Sequence, residues 1–143
     1  MTTHFEVYSK ETDELLHSFT QQDLSKAMSY FNDHLDHYLY VSKPEYQDFR
    51  IEGFVLETDD IFRFYNVLIG IYIPKSKMEI VKNEIDSIWN NPDFRYAFTY
   101  DANEGVAELN LPLNYLQGFD PTSSIETTIA FVESILKKFA SSF

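Results

Sequence analysis

The segment IFRFYNVLIGIYI, residues 61–73, decides the fold that we predict from the sequence. Its side chains are apolar on both alternating faces apart from Arg63 and Asn66, and this pattern is typical of a strand in the middle of a sheet. Gly70 interrupts the apolar run without ending it. Arg63 and Asn66 would need hydrogen-bond partners if buried, and a structural role is favoured over a ligand role for both. We therefore expect a central strand here.

A helix is predicted to follow this strand directly. Pro74 ends the strand because proline has no N–H to donate to a neighbouring strand. Ser76 and Glu79 then stand in the S-x-x-E spacing of a capping box, which predicts the start of a helix. Apolar residues at helical spacing continue from there: Met78, Val81, Ile85, Ile88 and Trp89.

The C-terminal part of the chain predicts a hairpin and a last helix. The asparagines and proline at 90–92 stop the middle helix. FRYAFTY and VAELNLPL, within residues 94–113, then pair through a tip at 101–105. A second S-x-x-E, Ser123 with Glu126, starts the last helix. Its apolar stripe is Ile125, Ile129, Val132, Leu136, Phe139 and Phe143.

The N-terminal part predicts a hairpin over residues 4–19, a helix over about 20–38 and a strand around 49–55. Thr20 and Asp23 have the spacing of a helix cap. The expected helix carries one apolar stripe: Leu24, Ala27, Met28, Phe31, Leu35, Tyr38 and Leu39.

These elements predict a single α+β domain over residues 1–143. Its expected architecture is a twisted, mainly antiparallel sheet of about five strands packed by three helices, with an extra N-terminal hairpin. No internal repeat or linker interrupts the sequence.

Composition narrows the function. The 143 residues are 44% hydrophobic and 17% aromatic, which is enough for a core, and without cysteine there are no disulfides and no zinc sites of the cysteine type. Against 23 acidic residues stand 11 basic ones, and the net charge of −12 disfavours direct binding to nucleic acid or to anionic membranes. The sequence lacks a signal peptide and an apolar stretch near the roughly 20 residues of a membrane span, so a cytoplasmic location is expected.

Catalytic motifs are not evident. The segment NDHLDHY, residues 32–38, spaces His34 and His37 three apart, but on the predicted helix these residues face mostly solvent, and this interpretation is favoured over a metal site. The four glycines are too scattered for a phosphate loop. The acidic turn at Asp59 and Asp60 and the tip at 101–105 are interpreted as surface turns. We expect no catalytic residue, no metal ligand, no cofactor and no enzymatic activity.

One stretch resembles a known family. In IWNNPDFRYAFTYDANEGVAELNLPLNYL, residues 88–116, a helix ending in asparagine precedes an aromatic strand, an acidic glycine-containing turn, a valine-containing strand and a Leu-Pro motif at 111–113. This order is similar to that of the type III secretion chaperone-like fold, particularly its YbjN-like branch. The resemblance covers about residues 20–143, and the hairpin at 4–19 departs from it.

The resemblance implies a small, acidic, commonly homodimeric protein that binds other polypeptides without chemistry. Exposed aromatic and aliphatic side chains would serve such binding. The candidates are Ile80 and Trp89 on the middle helix and Tyr96, Phe98 and Tyr100 on the second hairpin. For each of them a place in the core is the competing interpretation.

Two other classes of function stay open. An acidic inhibitor or immunity protein would imitate nucleic-acid phosphates with carboxylates clustered on one surface, whereas acids dispersed around an apolar groove favour a polypeptide binder. A metal-dependent enzyme would use His34 and His37 and would require supporting ligands.

Overall fold

Seven antiparallel strands pair in one sheet within residues 3–143, the part of the chain that the computed structural model describes. Their order is β2-β1-β3-β4-β5-β7-β6, so β5 lies inside the sheet, and β2 and β6 are its edges. The strands are β1 His4–Ser9, β2 Leu15–Ser18, β3 His37–Ser42, β4 Ile51–Thr58, β5 Tyr65–Tyr72, β6 Ala97–Asp101 and β7 Val106–Pro112.

Four α-helices within residues 3–143 form the second layer, and the first two are single turns. The helices are α1 Gln21–Leu24, α2 Tyr30–Asp33, α3 Met78–Ile88 and α4 Ile125–Ala140. Short 3₁₀ helices lie at Pro44–Phe49, Lys75–Lys77 and Leu113–Tyr115.

The helices cover one face of the sheet, because that face and the helices share the buried apolar side chains. In β5, Val67, Ile69 and Ile71 enter the same core as Ile129 and Val132 of α4. Strand side chains alternate between faces, so the residues between them lie on the opposite side. We call that side the open face, and its central positions are Tyr40, Val55, Leu68, Gly70, Thr99, Glu108 and Asn110.

The predicted α+β class is confirmed, but the sheet is larger than the five strands expected. The N-terminal hairpin is not an addition beside the sheet, since β1 pairs with β3 along its whole length, from His4 opposite Ser42 to Ser9 opposite His37. The hairpin therefore extends the sheet by two strands.

The predicted central strand is confirmed over Tyr65–Tyr72, where β5 pairs with β4 on one side and β7 on the other. Residues 61–64 form the turn before it, and Arg63 has a left-handed φ of 63° there. The second hairpin is also confirmed, with Asp101 opposite Val106 at its tip.

The helix predicted over 20–38 is wrong. The Thr20 cap exists, with Thr20 Oγ1 accepting from Asp23 N at 3.2 Å, but α1 ends at Leu24. Distant backbone then takes the hydrogen bonds that a longer helix would need: Met28 N donates to Ser123 O at 3.1 Å, and Ile125 N donates to Lys26 O at 2.8 Å. Residues 37–42 are strand β3 instead, so the apolar Leu39 of the expected stripe is a strand residue.

Both S-x-x-E predictions misplace the cap. Lys75–Lys77 forms a 3₁₀ turn, and α3 begins at Met78 without a side-chain cap, so Ser76 does not cap it. The last helix is capped one residue later than predicted, because Ser124 Oγ accepts from Thr127 N at 3.1 Å.

Candidate functional site

The open face holds a row of side chains that crosses five strands. Strand pairing aligns Tyr40 with Val55, Val55 with Leu68, Leu68 with Asn110, and Asn110 with Ala97. Val55 and Leu68 are half-buried although the helices pack on the other face. The row therefore presents an apolar centre with a polar group toward β6.

Two glycines deepen the middle of this face. A Cβ on Gly53 would lie 2.5 Å from Val41 O and 2.7 Å from the Tyr40 ring, so the ring occupies the space above the glycine. A Cβ on Gly70 would meet only Val106 Cγ1, at 3.3 Å. The glycines let one aromatic ring lie flat on the sheet and leave a hollow beside it.

Three hollows follow one another across the open face. The central one has a volume of about 530 Å³ and is bounded by Gly53, Leu68 and Thr99 among others. A second, of about 500 Å³, shares Tyr40 with it. A third, of about 220 Å³, shares Ala97 and Asn110 with it. We call the three together the open-face groove.

The charges along the open-face groove are mainly negative. Glu108 lines the central hollow, and Glu6 and Glu52 line the second. The basic side chains at its ends already have acidic partners: Lys43 Nζ lies 2.8 Å from Glu133 Oε2, and Arg95 Nη2 lies 2.8 Å from Asp86 Oδ1. The groove therefore favours a ligand that carries positive charge.

Large apolar side chains are exposed at both ends of β5. Ile61 and Phe62, in the turn before the strand, are 80% and 61% exposed. Tyr72, at the other end, is 45% exposed and donates to Glu52 Oε1 at 3.2 Å. Exposed apolar groups beside a concave face are typical of an interaction surface.

The third hollow contains the polar residue that the sequence placed inside the central strand. Asn66 is 3% exposed, and its Oδ1 has no hydrogen-bond partner within residues 3–143. Phe62, Phe64 and Phe94 form one side of the hollow, with ring centroids 5.3–5.9 Å apart. We call this the Asn66 pocket.

Three of the predicted partner-binding residues lie on the helix side of the second hairpin. Phe98 and Tyr100 are half-buried against the core, and Tyr100 Oη donates to Ile73 O at 3.1 Å. Tyr96 is buried and donates its hydroxyl to Asp86 Oδ1. That hydrogen bond, with Arg95, holds the pKa of the Asp86 carboxyl below its usual value although burial opposes the shift.

The other two predicted residues belong to the middle helix. Ile80 is half-buried on α3. Trp89, which follows α3, is half-buried, and its Nε1 donates to Asn91 O at 2.7 Å and to Phe94 O at 2.9 Å. The structure does not bring these two into the open-face groove, but Trp89 holds the loop that carries Phe94.

The histidine pair is held by a tyrosine. His34 and His37 lie with ring centroids 4.9 Å apart, and Tyr30 contacts both, through its carbonyl to His34 Nδ1 and its hydroxyl to His37 Nδ1, each at 2.9 Å. Burial and the neighbouring His34 lower the pKa of His37, while Asp36 opposes them. Among residues 3–143 no three or more histidine, aspartate or glutamate side chains are arranged to hold a metal ion.

The open-face groove was missed at the level of sequence, although two signals pointed to it. Asn66 stood out as a polar residue in an apolar strand, and Gly53 and Gly70 marked positions where another group approaches the backbone. Neither signal shows which face of the sheet the helices leave uncovered.

No family model, no curated protein and no solved structure matches the chain. No helix formed by residues 3–143 is long and apolar enough to cross a membrane.

Proposed function

We propose that this protein is a non-enzymatic polypeptide-binding module, chaperone-like or regulatory, that binds an extended, positively charged and partly apolar segment of another protein in the open-face groove. The observation that carries the proposal is the groove itself: three adjoining hollows on an uncovered sheet face, with an apolar floor and acidic walls.

Shape supports a polypeptide over a small molecule. The hollows are joined through shared residues, Tyr40 on one side and Ala97 with Asn110 on the other, so a ligand that fills them is long and narrow. An extended chain has this shape and places successive side chains in successive hollows.

Charge selects the kind of polypeptide. The chain has a net charge of −12, and the basic groups nearest the groove are already paired with carboxylates. Lysine or arginine in the partner would gain attraction from Glu108, Glu6 and Glu52, and complementary charge raises the association rate. The apolar floor supplies the rest of the affinity.

The proposal includes two narrower statements: that the protein is YbjN-like and that it forms a homodimer. The edge strand β6 and the exposed Ile61 and Phe62 provide surface for a second copy. The acidic inhibitor is the competing function. Such a protein would bind its partner through surface carboxylates alone and would not need the apolar groove.

The test measures binding of two defined peptides of about twelve residues, one alternating lysine with leucine and the other alternating glutamate with leucine, neither with aromatic residues. Fluorescence anisotropy should show that the lysine peptide binds at least about tenfold more tightly, with affinity that falls as salt rises. Equal affinity for the two peptides, or none for either, overturns the proposal.

Two matched pairs of variants locate the binding. Ala97→Trp fills the groove and should weaken the lysine peptide at least about tenfold, whereas Ala102→Trp at the hairpin tip should not. Glu108→Lys should weaken it, and Glu104→Lys, also at the tip, should have less effect. If Glu108→Lys weakens binding and Ala97→Trp does not, the acidic-inhibitor function replaces the proposed one.

A further inference from the structure

The Oδ1 atom of Asn66 is a buried acceptor that no protein group within residues 3–143 satisfies. Buried polar side-chain atoms are paired in the large majority of cases, since an unpaired one retains its desolvation penalty. The residue lies in the strand with the most extensive pairing, and it faces a pocket. A partner from outside the chain would remove the penalty.

The charged groups at the rim of the Asn66 pocket are already engaged. Asp59 Oδ2 accepts from Ile61 N at 3.0 Å and from Phe62 N at 2.6 Å, so this carboxylate closes its own turn. Arg95 is paired with Asp86. The uncharged polar groups of the pocket are the side-chain amides of Asn66 and Asn110, and among their atoms Asn66 Oδ1 is the one that is both buried and unpaired.

These surroundings discriminate between possible ligands. A lysine or arginine head would lose its hydration, and the acidic side chain that lines the pocket, Asp59, already accepts two backbone amides through Oδ2. A purely apolar group would leave Asn66 Oδ1 unpaired. A flat aromatic group with one N–H or O–H donor satisfies both the acceptor and the rings of Phe62 and Phe94.

Size agrees with a single side chain. The pocket holds about 220 Å³, which exceeds the space of one water and is smaller than the roughly 300 Å³ at which pockets for drug-sized ligands begin. It adjoins the central hollow, with which it shares Ala97 and Asn110, so a side chain in the pocket can belong to a chain that follows the groove.

We propose that the Asn66 pocket binds a tryptophan or tyrosine side chain of the partner polypeptide, and that the buried Asn66 amide turns toward it so that the indole N–H or phenol O–H donates to Asn66 Oδ1. This deepens the proposed function and rests on it for the source of the side chain. Trp89 is a positioning residue for the pocket, because its two hydrogen bonds to the 91–94 loop place Phe94 against Phe62 and Phe64.

The test compares indole with indene, which has the same shape and lacks the donor. Titrations of each into the ¹⁵N-labelled protein, followed by NMR, should give roughly 3- to 10-fold tighter binding of indole, the ratio expected for one net hydrogen bond. The side-chain amide signal of Asn66 should shift with indole and less with indene. Equal affinities, with or without a shift of that signal, overturn the inference.

Variants test whether Asn66 is the residue that accepts the hydrogen bond from the ligand. Asn66→Leu should remove the preference for indole while both ligands still bind, and Asn110→Leu, at the other asparagine of the pocket, should retain it. Phe62→Ala should weaken both ligands alike, since this ring is largely exposed and its loss leaves the core intact. Loss of the preference in Asn110→Leu but not in Asn66→Leu contradicts the assignment.

The two proposals fail separately. If the aromatic-free lysine peptide binds and indole shows no preference over indene, the pocket inference is wrong and the proposed function stands. If indole is preferred and the peptide does not bind, the preference of the pocket for an aromatic donor stands, whereas the polypeptide-binding function, and with it a partner polypeptide as the source of that donor, is wrong.

Discussion

At the scale of single residues, Gly53 and Gly70 are both open-face glycines but tolerate different changes. The ring of Tyr40 and the carbonyl of Val41 occupy the place where a side chain on Gly53 would begin. The nearest neighbour of Gly70 is one methyl group of Val106. Neither glycine has a positive φ, so space alone distinguishes the two positions.

We therefore expect Gly53→Ala to lower the free energy of unfolding by about 3 kcal/mol, since either the backbone of β3 or the Tyr40 ring must move. Gly70→Ala should change it by no more than about 0.5 kcal/mol, because relief of chain entropy offsets a slightly tight contact. Urea denaturation monitored by circular dichroism measures both. Similar losses for the two variants would contradict this account of the groove.

At the scale of elements, the start of α4 depends on one hydroxyl. Ser124 has extended backbone angles and its Oγ accepts from Thr127 N, which satisfies an amide that the first turn leaves unpaired. Ser123 is used differently, donating to Asp120 O at 2.7 Å. Ser76, the other serine of an S-x-x-E spacing, has no capping bond.

Ser124→Ala should reduce the free energy of unfolding by about 1 kcal/mol, the usual loss for an N-cap serine. Ser76→Ala should stay within about 0.5 kcal/mol of the wild type, as an exposed surface change does. The midpoints of thermal unfolding give the comparison. A larger loss at Ser76 than at Ser124 would mean that the sequence pattern, and not the observed cap, identifies the helix start.

At the scale of the whole molecule, the protonation of His37 makes the stability of the fold depend on pH. It lies on β3 and contacts Tyr30 of α2, and the charge of His17 on β2 also lowers its pKa. The folded chain thus holds this imidazole neutral at a pH where the unfolded chain, with a pKa of about 6.5, begins to protonate it. Protonation therefore favours the unfolded state.

The midpoint temperature of thermal unfolding should fall as the pH is lowered from about 7.5 to about 5.5. Neutral His37 contributes stability above the pKa that it has in the unfolded chain, and this contribution is lost as the pH falls through the lower pKa that it has in the folded chain. His37→Gln should show a smaller fall over this range. Tyr30→Phe, which removes the hydroxyl contact and keeps the imidazole, should retain the fall. An unchanged pH dependence in His37→Gln would contradict the prediction.

Much of the fold was predictable from local pattern. The alternation around 94–113 and the tip at 101–105 predicted β6 and β7, and the apolar run at 61–73 predicted β5. Both depend on neighbours in the sequence, since period and turn chemistry are local properties. The net charge, which supports the proposed preference for a basic partner, is also a property of the sequence alone.

The tertiary structure decided the rest. Residues 24–39 have a helical period, but hydrogen bonds with residues 123–125 and pairing of β3 with β1 and β4 compete successfully with one long helix. The apolar run predicted that β5 is a central strand, but not that the helices cover one face of the sheet, which leaves Leu68 in a groove and Asn66 without a partner. The sequence shows how apolar each residue is, whereas the exposure of that residue depends on which distant elements pack over it.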